Sequence, residues 1–206
     1  MHQSIIIVDN FLSDPEYFRD AARKMDFPHH QDLSNFPGRN SLQRLNAPDI
    51  DASISNIVGE PLTPLTPLSH AKFRLTLKDD IGKAKVHLDN SQWSGILYLS
   101  EDSASLSGTD FFKHKETNLD TALLSLKDIQ RLGWEHKERA NIEINNIIKN
   151  ETNDDTKWEH IMRVPMKYNR LLLLRPWLWH TAGPGFGTHF DNGRLVYLMF
   201  YGSRQS

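Results

Sequence analysis

The side chains here that could do metal chemistry are histidines placed two residues before a carboxylate. Two imidazoles and one carboxylate can hold Fe(II) on one face of its octahedron and leave the other positions open. On a strand, residues i and i+2 point to the same side, so His-x-Asp supplies two of the three ligands. The spacing alone selects nothing. With 10 His and 26 acidic residues in 206, chance produces about one such pair. Five occur: His30/Asp32, His87/Asp89, His114/Glu116, His136/Glu138 and His189/Asp191.

Context ranks them. His30/Asp32 lies in a loop before the strand-rich region, and His136/Glu138 in a polar helical segment where i and i+2 diverge. His189/Asp191 has no later histidine to complete a triad, and His114/Glu116 opens an insertion. His87/Asp89 stands at the head of a strand that continues into Gly95–Leu99; the plain alternative is a surface salt bridge or a turn. His180 is the distal candidate. It follows the apolar run Leu171–Trp179 and precedes the glycine-rich turn Thr181–Gly187, which places it at a barrel mouth. A core histidine bonded to backbone is the competing reading. Arg194 then opens the apolar strand Leu195–Tyr201. A buried arginine needs a partner, and a dicarboxylate offers a bidentate one. Water at the strand edge, or Asp191, could serve instead.

The elements that must position these residues are read from periodicity and turn signals. Ile5–Val8 reads as a strand. Ser13 and Glu16 form a capping box for a helix with Pro15 in its first turn and Phe18, Ala21, Ala22 and Met25 on its apolar face. Residues 28–49 read as an ordered surface loop, and Pro61, Pro64 and Pro67 leave no regular element in their stretch. Phe73, Leu75 and Leu77 alternate with Arg74, Thr76 and Lys78, as in a half-buried strand, with Arg74 on the side away from the core. Further strands are expected within 86–99, at 109–112, 170–174 and 193–201. Residues 113–160 read as a helical insertion: Asp120 caps one helix, Ala140, Ile144, Ile147 and Ile148 mark a second, and 150–157 is a polar loop. The chain is expected to be one domain, 1–206, mainly β with flanking helices and a double-stranded β-helix, or jelly-roll-like, core.

Composition excludes several classes. Cysteine is absent, so disulfides, thiolate zinc sites and thiol nucleophiles are out. There is no G-x-S-x-G elbow, and Gly183–Gly187 lacks the Lys-Ser/Thr ending of a P-loop. A net charge of −2 gives no broad positive field for nucleic acid. No apolar run is long enough for a signal-peptide core or a membrane span, and a cytoplasmic location is expected.

His87-Leu-Asp89, Gly95–Leu99, Gly108–Phe112, Asn169–Leu174, His180 and Arg194-Leu resemble, in order and spacing, the 2-oxoglutarate/Fe(II)-dependent oxygenase superfamily. The segments Gly108-Thr-Asp-Phe-Phe-Lys-His114 and Phe36-Pro-Gly-Arg39 look like a little-characterised bacterial subgroup of it. The resemblance implies His87, Asp89 and His180 as iron ligands and Arg194 as holder of the distal carboxylate of 2-oxoglutarate. It matches Tyr98 to a tyrosine that helps bind that carboxylate, with a core aromatic as the alternative. It implies activation of molecular oxygen, release of succinate and carbon dioxide, and hydroxylation of a small-molecule or amino-acid/peptide substrate. Arg175-Pro176, before the distal histidine, departs from the family pattern. Trp177 and Trp179 either line the pocket or close the barrel, and Arg39 and Arg74 are left without a role. A jelly-roll binding module without catalysis, or a cupin-type metalloenzyme without 2-oxoglutarate, are the competing classes.

Overall fold

The computed structural model describes residues 3–28, 35–101 and 107–203. Along them run β1 (Ile5–Val8), α1 (Pro15–Arg23), β2 (Arg39–Asn40), α2 (Pro48–Val58), β3 (Leu62–Pro64), β4 (Lys72–Thr76), β5 (Trp93–Tyr98) and β6 (Gly108–His114). They continue with α3 (Leu126–Arg131), α4 (Lys137–Glu151), β7 (Trp158–Pro165), β8 (Arg170–Leu174), β9 (His180–Ala182) and β10 (Arg194–Ser203). The strands form two antiparallel sheets. The larger runs β1-β8-β5-β10-β4-β2, with β3 added to β10, and the smaller runs β7-β6-β9. His87 adds one residue to the free side of β9 by bridging to His180.

The alternation of the larger sheet produces two different apolar faces. Phe73, Trp93, Leu97, Leu171, Tyr197 and Met199 turn outward and pack against Phe18 and Ala22 of α1 and Ile54 and Val58 of α2. Tyr98, Leu172, Leu174, Val196 and Leu198 turn inward and meet Phe111 and Val164 of the smaller sheet and Met166 just beyond β7. The core under the helices therefore lies outside the sheet pair, and the space between the sheets holds the site.

Several local expectations change. Asp14, not Ser13, caps α1 by accepting from the Tyr17 amide. Helix α2 starts in the last two residues of the expected loop and runs on to Val58, where no element was assigned; Pro48 stands in its first turn and Gly59 ends it at φ 69°, a left-handed cap that suits glycine. The proline-rich stretch contains β3, where Pro64 is tolerated at a sheet margin. Asp120 caps no helix: Leu119 and Thr121 make bridges to His114 and Leu178, and α3 starts after a Ser125/Asp128 capping box. Strand pairing carries β6 through His114 and starts β7 at Trp158, so the helical segment is narrower than 113–160. Strands β7 and β9 answer to no expected strand, and His87 and Asp89 do not head β5, which begins at Trp93: His87 makes an isolated bridge and Asp89 lies in the connection between that bridge and β5.

The helical segment grips the smaller sheet. Ile144 and Ile147 pack with Val86, Leu119, Trp158 and Trp179. At the end of α4, His114 Nε2 meets Glu151 Oε2 at 2.8 Å. Thr152 Oγ1 donates to the Val86 carbonyl at 2.7 Å and accepts from the Lys85 amide at 3.0 Å. Thr152→Val keeps the shape and strands both backbone groups, at a cost of about 1–3 kcal/mol. Thermal unfolding should show a midpoint lower by about 2–4 °C per kcal/mol. An unchanged midpoint would mean that this turn does not brace the segment bearing His87.

Candidate metal centre

Backbone pairing sets the distance between the two histidines. The His87 amide donates to the His180 carbonyl at 2.9 Å, and the His180 amide returns a bond to His87 at 3.2 Å. Residues paired in this way across an antiparallel ladder present their side chains on one face, and the two ring centroids lie 4.5 Å apart. Asp89, two residues beyond His87, is held at its amide by the Pro176 carbonyl at 3.2 Å. Ser94 Oγ donates to Asp89 Oδ2 at 2.6 Å. One ligand atom from each of His87, Asp89 and His180 falls within 4.8 Å of the others. Asp89 Oδ1 is 3.6 Å from His87 Nε2, and Oδ2 is 3.4 Å from His180 Nε2.

Both rings have a fixed proton. His87 Nδ1 faces the Lys85 carbonyl at 2.9 Å and His180 Nδ1 the Leu178 carbonyl at 2.8 Å. A carbonyl only accepts, so each Nδ1 carries hydrogen and each Nε2 is the ring atom turned toward Asp89. Burial, and then His180, push the His87 pKa down to about 4, so this ring is neutral at pH 7. Burial also opposes charge on His180, but the Asp89 carboxylate outweighs it and raises the pKa. Burial alone would raise Asp89; the His180 and His87 rings and the Ser94 hydroxyl hold it well below the usual carboxylate range. Two imidazole nitrogens and an ionised carboxylate, converging and already oriented, fit a divalent transition metal.

These residues stand on the wall of a cavity of about 460 Å³ between the sheets. Arg194, only 1% exposed, lines the same cavity. Its Nε donates to Ser107 Oγ at 3.2 Å and its Nη2 to the Gly108 carbonyl at 3.1 Å. Among the described residues no carboxylate pairs with it. Asp191 is taken by Arg23 at 2.9 Å. Burial lowers the Arg194 pKa. The Tyr98 ring lies 5.8 Å from the Arg194 guanidinium carbon. Tyr98 itself is buried behind the cavity wall, and its hydroxyl bonds at 2.7 Å to Thr109 Oγ1, which does line the cavity. Arg74 departs from the expected solvent-facing position: β4 turns it into the cavity. Its Nε donates to Asn40 Oδ1 at 2.7 Å. Burial and then Arg194 push its pKa down to about 10.

A model of a family of unknown function, DUF6445, matches residues 1–201. The chain belongs to DUF6445. No curated protein sequence matches this DUF6445 chain. Among solved structures it is similar to HygX from Streptomyces hygroscopicus with nickel, 2-oxoglutarate and hygromycin B bound, at 15% identity and a TM-score of 0.57, covering 97% of this chain and 83% of HygX. It is similar to AviO1 from Streptomyces viridochromogenes Tue57, at 12% identity and a TM-score of 0.54, over 100% and 92% of the two chains. It is also similar to the non-heme alpha ketoglutarate dependent epimerase SnoN from nogalamycin biosynthesis, at 12% identity and a TM-score of 0.54, over 98% and 79%. At such identities the likeness is one of fold.

The remaining candidates of the DUF6445 chain have other places. His114 is buried between Thr117 and Glu151. His136 caps α4, His189 is exposed near Asp191, and His30/Asp32 lies outside the described residues. Arg175 pairs with Glu60 and stacks on Trp93, 4.0 Å away, and Trp177, 5.1 Å away. The Arg175-Pro176 departure thus has a structural use, since the Pro176 carbonyl also holds the Asp89 amide. Trp179 is fully buried 5.1 Å from Trp158. Trp177, Trp179 and Arg39 do not line the cavity.

Proposed function

We propose that this chain is a non-haem Fe(II)/2-oxoglutarate-dependent oxygenase with His87, Asp89 and His180 as iron ligands. Its two sheets make a double-stranded β-helix, and the chain works as one oxygenase domain carrying a helical insertion. The observation that carries this reading is the pairing, in one cavity, of the preoriented two-histidine, one-carboxylate cluster with Arg194, a buried cation with no carboxylate partner among the described residues. HygX, similar in fold, was crystallised with nickel and 2-oxoglutarate, and SnoN is described as alpha ketoglutarate dependent.

When bound, iron and 2-oxoglutarate supply oxidising power from molecular oxygen, with succinate and carbon dioxide released. The protein's part is orientation and exclusion of water. Ser94 and the Pro176 carbonyl hold Asp89, and the Lys85 and Leu178 carbonyls hold the rings. Arg194 receives the distal carboxylate, Thr109 presents a hydroxyl beside it, and Tyr98 supports both from behind. Ile96, Val196 and Leu198 keep one wall apolar. The substrate is a small molecule or an amino-acid or peptide group, and hydroxylation is the outcome the retained Asp89 favours. Among the described residues no helix is long and apolar enough to cross a membrane.

An anaerobic titration with Fe(II) and then 2-oxoglutarate tests the reading. A visible charge-transfer band that saturates near one iron and one 2-oxoglutarate per chain is expected. Iron binding without any response to 2-oxoglutarate would favour a cupin-type site, and no iron binding would leave a non-catalytic module.

A further inference from the structure

Arg74 and Lys72 are two residues apart on β4 and both line the cavity. Their neighbours across the sheet on β10 are Val196 and Leu198, so two cations border an apolar wall. Asn40 and Phe36 steady the Arg74 guanidinium. Asn40 Oδ1 accepts from Nε while Asn40 Nδ2 donates to Ser69 Oγ at 2.8 Å, and the Phe36 ring lies 5.6 Å from the guanidinium carbon. Nε is the only Arg74 donor used among the described residues, and neither Arg74 nor Lys72 has a carboxylate in ion-pair range there. Other arginines differ. Arg175 has Glu60, Arg163 has Asp110 and Arg170 has Asp9. Arg44, also on the cavity wall, spends its donors on the carbonyls of Thr66, Leu68 and His70.

We infer that Arg74, aided by Lys72, is the subsite for an oxyanion on the substrate, which is then a small molecule with an apolar body and a carboxylate, sulfate or phosphate group. The inference rests on the proposed oxygenase reading for its charge balance. A ferrous ion and Arg194 together offset Asp89 and the two carboxylates of 2-oxoglutarate. Among the described residues Arg74 and Lys72 are then left without a counter-charge on the cavity wall, where an uncompensated charge is costly. An arginine prearranged by Asn40 and Phe36, with its outer nitrogens unused among the described residues, suits an oxyanion met in a fork.

Isothermal titration of phenyl phosphate, with neutral benzyl alcohol as the control probe, decides the matter. It is run on the metal-free chain and on the chain loaded with Ni(II) and 2-oxoglutarate. Wild type should bind phenyl phosphate in both forms. Arg74→Gln should weaken it by about 10–100-fold, as expected for loss of a charge-assisted bond. Lys72→Met, which leaves Arg74 and its Asn40 contact in place, should weaken it severalfold and guards against a folding defect in the first variant. Benzyl alcohol binding and 2-oxoglutarate affinity should not move. Equal phenyl phosphate affinity in wild type and both variants, or no binding by wild type, would overturn the inference. So would a loss of 2-oxoglutarate affinity in Arg74→Gln, which would make Arg74 a cosubstrate residue. If Ni(II) and 2-oxoglutarate fail to bind wild type, the oxygenase reading falls, while the metal-free titration still judges Arg74.

Discussion

Iron should no longer bind to His180→Ala, and 2-oxoglutarate turnover should vanish with it. The ring supplies one of three converging donors, and its Nε2 is 3.4 Å from Asp89. Loss of a group that merely orients a ligand costs about 10–100-fold in metal affinity, so loss of the ligand should exceed about 100-fold. The variant should still fold. The His87–His180 bridge is made by backbone amides and carbonyls, which alanine retains. Circular dichroism with metal analysis of the purified variant separates the two effects. A folded His180→Ala protein that retains one iron per chain would remove His180 from the ligand set.

Arg194→Met should raise the 2-oxoglutarate concentration needed for half-saturation by about 100-fold or more and leave iron affinity nearly unchanged. Two charge-assisted bonds contribute about 1.5–3 kcal/mol each, and the cosubstrate's carboxylate would otherwise be buried without a counter-charge. The metal-free variant should be as stable as wild type or more so, because an arginine without a carboxylate is replaced by an apolar stem of similar reach. Arg194→Lys should recover only part of the affinity, since an ammonium cannot form a planar fork. Cosubstrate titrations and thermal unfolding of the same preparations test both halves. Unaltered 2-oxoglutarate affinity in Arg194→Met would show that the cosubstrate is anchored elsewhere, with Arg74 the next residue to replace.

The three clustered residues were legible because two independent signals met: His-x-Asp at the start of a strand region, and a histidine between an apolar run and a glycine-rich turn. Arg74 was not. Alternation shows that a strand has two faces, but here both are covered, one by α1 and α2 and the other by the opposite sheet, and Phe73 and Leu75 pointed to the wrong one. Strand β7 hid for a related reason. Its middle is largely exposed, and there Glu159, His160 and Arg163 flank the apolar Ile161 and Met162, so no alternating stripe forms. Strand β9 is three residues long and is fixed by partners distant in sequence, which no local pattern reveals. Helix α2 was readable in principle: Ile50, Ile54, Ile57 and Val58 repeat at helical spacing between Pro48 and Gly59, but Ala47 offers no side-chain cap. Tyr98 stands beside Arg194 as its type suggested, and its hydroxyl bonds to Thr109.

Strand β10 lies between β5 and β4 and also takes β3, although it is the last strand in chain order. The larger sheet is therefore three separate pieces, β1-β8-β5, β4-β2 and β3, until residues 194–203 arrive to join them. His180 likewise reaches its partner His87 only after most of the chain is available. Contacts between such remote segments make folding slow, because closure entropy is spent before pairing returns anything. On a ribosome the proposed ligand set stays incomplete until the region around β9 has emerged, so under that proposal iron capture waits for β9. The nascent chain must meanwhile keep the unpaired margins of β4 and β5 away from other chains, a hazard inherent in finishing a sheet at its middle.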